Sequence, residues 1–129
     1  MKTVLSLVLV SMLMIVAVPL YAAEATQWWK CEMDDDASEA EVMAMAGDWL
    51  KAARTMKGGE KMEAEVLFPV AVNAIGDFDV FFTVTAPTFE EWGRFWDNYE
   101  GSAAAEVDKR IQEKIVCPDS VLWESIKIK

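Results

Sequence analysis

The stretch Phe78-Asp79-Val80-Phe81-Phe82-Thr83-Val84-Thr85-Ala86-Pro87-Thr88-Phe89-Glu90-Glu91-Trp92-Gly93-Arg94-Phe95-Trp96 changes its hydrophobic period halfway along. Before Ala86, Phe78, Val80, Phe82 and Val84 alternate with Asp79, Phe81, Thr83 and Thr85. That is the two-residue period of a strand with one buried face. After Pro87, Thr88 and Glu91 form a capping-box signature, in which a hydroxyl and a carboxylate three residues apart satisfy the first free amides of a helix. Phe89, Trp92, Phe95, Trp96 and Tyr99 then line one side of that helix.

Toward the N-terminus, Met62, Ala64, Val66, Phe68 and Val70 alternate with Glu63, Glu65, Leu67 and Pro69, a second strand whose end Pro69 places at an edge or bulge. A turn over residues 73–77, with Gly76, joins the two strands as a hairpin. Further back, residues 26–33 read as a strand carrying Trp28, Trp29 and Cys31. Asp34-Asp35-Asp36 makes a turn, Ser38 and Glu41 form another capping box, and Met43, Ala46, Trp49, Leu50, Ala53 and Met56 recur at helical spacing until Gly58-Gly59. Toward the C-terminus, Gly101 interrupts the aromatic helix. Ser102 restarts it through Val107, Ile111 and Ile115, Cys117-Pro118-Asp119 ends it, and residues 121–128 form a last strand.

The order βαββαβ predicts a ferredoxin-like α+β fold, an antiparallel sheet with helices on one face and the second helix broken near Gly101. In that topology the last strand lies beside the first. Cys31, late in the first strand, and Cys117, just before the last, are then neighbours, and a Cys31–Cys117 disulfide is expected.

The chain has 129 residues, a formal net charge of −10 and no histidine. Residues 1–23 combine Lys2, an apolar run and small residues around Ala22-Ala23, which read as a signal peptide. Pro19 and the alanines favour cleavage over retention as an anchor, so no stable membrane span is expected afterwards. Residues 24–129 make one domain, exported to the periplasm or the extracellular space. Without histidine there is no Ser-His-Asp or Cys-His site and no histidine-ligated zinc or haem. The acidic balance disfavours a nucleic-acid partner. No cofactor and no metal site are expected; the acidic run with Glu39 lacks calcium-loop spacing and reads as a solvated turn.

One sheet face is expected to carry Trp29, Cys31, Met33, Ala64, Val66, Phe68, Val80, Phe82, Val84, Leu122 and Ile126 against the helices. The other carries Trp28, Lys30, Glu32, Glu63, Glu65, Leu67, Phe81, Thr83, Trp123 and Ser125. Trp28, Leu67, Phe81 and Trp123 are too apolar to stay wet as one patch, so this face is expected to pack on a second copy or to take a small apolar or aromatic ligand. Lys30, the lone base there, is expected to pair with Glu63 or Glu65. Trp49, Trp92, Trp96 and Tyr99 are the candidates for lining a pocket between helices and sheet; the plainer account of such a stripe is core.

The strand 78–85 leading into Ala86-Pro87-Thr88-Phe89-Glu90-Glu91-Trp92 is similar to the same junction in the dimeric α+β-barrel superfamily, which includes antibiotic-biosynthesis-monooxygenase-like domains. The resemblance is one of architecture. It implies a ferredoxin-like fold and a homodimer closed through the sheets. Members that bind haem or act on diols usually use a histidine, which this chain lacks. The functions left open are a non-catalytic or ligand-binding exported protein, a cofactor-free monooxygenase-like enzyme, and an acidic module for a protein partner.

Overall fold

A computed structural model describes residues 23–71 and 78–128. The leader other than Ala23, and the turn over 73–77, lie outside the described residues. The elements are β1 (Glu24–Met33), α1 (Glu39–Ala53), β2 (Glu63–Leu67), β3 (Val80–Ala86), α2 (Phe89–Asp97), α3 (Ala103–Gln112) and β4 (Ile115–Ser125). The sheet order is β2-β3-β1-β4, with every neighbouring pair antiparallel. This is the ferredoxin-like α+β fold expected from the sequence.

Local chemistry fixes the helix ends. The Glu41 amide donates to the Ser38 hydroxyl at 3.3 Å, and the Ser38 amide donates to Glu41 Oε2 at 2.9 Å, a complete capping box. At Thr88 only half of the box forms. The Glu91 amide donates to Thr88 Oγ1 at 3.1 Å, while the Glu91 carboxylate receives the Thr88 hydroxyl and not its amide. Gly101, at φ 74°, turns the chain out of α2, and Ser102 caps α3 by accepting from the Ala105 amide at 3.1 Å. Gly58, at φ 85°, lies so close to the α2 backbone at Glu91 and Phe95 that a Cβ there would clash.

The final strand begins earlier than the sequence suggests, at Ile115 and not at residue 121. Ile115 leaves the helix and is buried beside Cys31, Val42 and Val80. Pro118 had marked a break, but β4 is an edge strand, where a residue without an amide is tolerated. The register with β1 also shifts between Lys30 and Glu32, so that Cys117 and Pro118 together oppose Cys31 in a bulge. The Cys31–Cys117 disulfide closes this point across a sequence separation of 86 residues.

Two buried clusters lie between sheet and helices. One joins Ala25, Val84 and Ala86 to Trp49, Ala53, Phe95, Ala104 and Val107; the other surrounds the disulfide. Two residues expected inside are not. Ile126 lies past the end of β4 and is 55% exposed, and Leu122 faces the helix side opposite Gln27 but sits on the uncovered edge. Among the described residues, no helix is long and apolar enough to cross a membrane.

Candidate functional site

The register places the outward residues in rows. Glu65, Thr83, Trp28 and Val121 form one; Leu67, Phe81, Lys30 and Asp119 form the next; Glu63, Thr85, Thr26 and Trp123 form a third. Trp28 packs edge-on against Phe81 at 5.9 Å and against Trp123 at 6.4 Å between ring centroids. Trp28 is 40% exposed and Trp123 52%, and Leu67 and Val121 widen the same patch. Lys30 does not pair with Glu63 or Glu65. Its row holds Phe81 and Leu67, and its Nζ lies 5.9 Å from the centre of the Phe78 ring. A hydroxyl chain, Ser125 to Thr26 at 2.9 Å and Thr26 with Thr85 at 3.0 Å, ties β4, β1 and β3 beneath the aromatics.

On the other side of the sheet a cavity of about 700 Å³ opens between β1–β4 and the helices α1 and α3. That is the range of a small-ligand site. Trp49, Trp96 and Tyr99 line it, together with Trp29 and Phe82 from the sheet. Trp92 does not; it packs in the core beside Trp96, with ring centroids 6.1 Å apart. The indole N–H groups of Trp92 and Trp96 are buried without a hydrogen-bond partner. Trp49 donates its indole N–H to the Tyr99 hydroxyl at 2.9 Å. Burial pushes the Tyr99 phenol well above its usual range; the Trp49 hydrogen bond opposes this, and the negative charge of Asp108 adds to it. The hydroxyl therefore keeps its proton while its oxygen accepts from Trp49.

Residues not singled out from the sequence complete the wall. Asp108 and Gln112 of α3 line the cavity, and the Gln112 side chain donates to Asp108 Oδ2 at 3.0 Å. Gly47, midway along α1, also lines it, and a Cβ there would meet nothing within 4 Å. Exposed Met43 and Gln112 mark the mouth. The signal for Asp108 was present in the sequence. It interrupts the apolar stripe Ala104, Val107, Ile111 at a position that faces inward.

A second hollow, near Met33, Asp34, Glu39 and Asp79, is small and acidic, and Asp79 there accepts the Met33 amide at 2.8 Å. Among the described residues, no group of three or more carboxylate, cysteine or histidine ligands is arranged to hold a metal ion.

The sheet order and the helices on one face define an α+β protein of the ferredoxin-like type. No family model and no curated protein matches the chain. Solved structures do match in fold. The chain is similar to the Arabidopsis thaliana protein At3g17210 (TM-score 0.57, 9% identity, covering 83% of this chain and 98% of that one). It is similar to the hydroxynitrile lyase of Passiflora edulis (TM-score 0.54, 12% identity, 84% and 96% covered). It is also similar to a dimeric ferredoxin-like protein of unknown function from Thermobifida fusca (TM-score 0.52, 9% identity, 82% and 92% covered). At these identities the likeness is one of fold.

Proposed function

We propose that this is an exported binding protein that holds a small apolar or aromatic molecule in the cavity between α1, α3 and the sheet, and that dimerises through the opposite sheet face. Residues 1–23 act as the cleaved leader and residues 24–129 as the working domain. The disulfide supports an oxidising destination, the periplasm or the extracellular space. The uncovered apolar patch of Trp28, Val121 and Trp123 supports the homodimer, as does the Thermobifida fusca protein's being dimeric.

The observation that carries the binding reading is the cavity itself, a space of about 700 Å³ walled by aromatic rings that the protein does not fill with its own side chains. Gly47 sharpens it. Glycine inside a helix costs about 1 kcal/mol relative to alanine, and no neighbour here demands the missing Cβ. Gly47 lines the cavity from its exposed rim, so a larger residue at this position would obstruct the mouth. The enzyme reading has less support, because Tyr99, its best-placed hydroxyl, is held protonated and the chain has no histidine to act as base.

The test is a calorimetric titration with 2-phenylethanol, a neutral aromatic probe. Saturable binding to the native protein, lost in Gly47→Leu while that variant unfolds at the same or a higher temperature, is the expected result. No saturable binding, or binding equal in Gly47→Leu, overturns the reading.

A further inference from the structure

We propose that the cavity selects an organic cation: an amine carrying an aromatic or alkyl body, whose ammonium group meets the Asp108 carboxylate against the faces of Trp49, Trp96 and Tyr99. This rests on the binding reading above and specifies its ligand. The charged residues that line the cavity are both acidic, Glu65 and Asp108, and no lysine or arginine lines it. Glu65 belongs by register to the row on the far side of the sheet, which leaves Asp108 as the charge on the helix side.

Asp108 is half-buried at the edge of an apolar space, and its partner on α3 is the neutral Gln112 amide. The basic residues that follow it, Lys109 and Arg110, are exposed, and Lys109 is engaged by Glu106 at 2.6 Å. A carboxylate in that position, whose hydrogen-bonding neighbours Gln112 and Tyr99 are both neutral, is improved by a cation and worsened by an anion.

The aromatic walls point the same way. Trp29, Trp49, Trp96 and Tyr99 all line the cavity, so a molecule in it meets several aromatic rings and their π faces at once. Those faces attract an ammonium group while also accommodating an apolar body. The Tyr99 oxygen is already taken by the Trp49 N–H, so its own hydrogen is directed elsewhere, toward the acidic side of the cavity. The net charge of −10 draws cations toward the protein and repels carboxylates, in keeping with that preference.

Three probes of one shape separate the possibilities: phenethylamine, 2-phenylethanol and 3-phenylpropanoate, which are cationic, neutral and anionic near neutral pH. Each is titrated calorimetrically into the native protein, Asp108→Asn and Glu106→Gln. Asp108→Asn keeps the shape and a hydrogen-bonding group for Gln112, while Glu106→Gln removes an exposed charge from the same helix. The expected order is amine, then alcohol, then carboxylate, with the amine favoured over the alcohol by about tenfold. Asp108→Asn should erase that preference and leave alcohol binding intact, and Glu106→Gln should change neither. Added salt should narrow the gap only partly, since the charge is partly screened from solvent. Equal binding of amine and alcohol, or a preference that survives Asp108→Asn, overturns the cation assignment and leaves the pocket standing. Failure of all three probes to bind removes the pocket as well.

Discussion

Tyr99 illustrates how one buried hydroxyl governs both stability and chemistry. Its phenol accepts from Trp49 and is partly buried beside the Asp108 carboxylate, so the folded protein resists its ionisation. A phenol raised above its ordinary value of 10.0 contributes stability that is fully present below that pH. The contribution is lost as pH climbs above it toward the folded value, because the unfolded chain releases the proton first. The urea midpoint of the native protein is therefore expected to fall between about pH 8 and pH 11, and by clearly less in Tyr99→Phe. At neutral pH the same variant should lose about 1–3 kcal/mol, because the Trp49 N–H is left unpaired. An alkaline slope identical in both proteins would show that Tyr99 is not the group responsible. Residues of this kind were half legible in the sequence. Trp49, Trp96 and Tyr99 advertise themselves by helical spacing. Asp108 is easier to pass over, because a charge in a helix usually marks the wet face, and only its place in the stripe Ala104, Val107, Ile111 points it inward.

At the scale of elements, the caps and turns carried most of the fold. Ser38, Thr88 and Ser102 each begin a helix, and the alternation over Val80–Ala86 and Glu63–Leu67 is that of strands half-buried in a sheet. The start of β4 was hidden because Cys117-Pro118-Asp119 is the chemistry of a stop. What keeps it extended is a partner far away in sequence: pairing with β1 on an open edge, pinned by the disulfide. Tertiary context of this sort overrides local propensity. Replacing both cysteines by alanine is expected to cost roughly 2–5 kcal/mol in urea unfolding. Amide exchange should quicken first in β4, which has β1 as its single neighbour in the sheet. Uniform loss of protection across all four strands would argue instead that the sheet opens as one unit.

For the whole molecule, the two faces of one sheet have opposite needs. The helix side is covered but left hollow. The outer side is filled by its own side chains but uncovered, with Trp28, Leu67, Val121 and Trp123 facing water in the isolated chain. A stable pairing requires about 800 Å² from each copy, an area that a four-stranded face can supply. The native protein is expected to sediment as a dimer at micromolar concentration. Trp123→Glu, which sets two added carboxylates near one another across the interface, should give a monomer with unchanged helical circular dichroism. A native monomer, or a Trp123→Glu dimer, would place the partner surface elsewhere.

Cys117 belongs to the cross-link and also to the lining of the cavity. Oxidation state and occupancy are thereby joined in one residue. The β4 side of the chamber is held by its ladder to β1 and by the cross-link at the bulge in that ladder. On the binding reading, reducing Cys31–Cys117 is therefore expected to weaken the uptake of a guest.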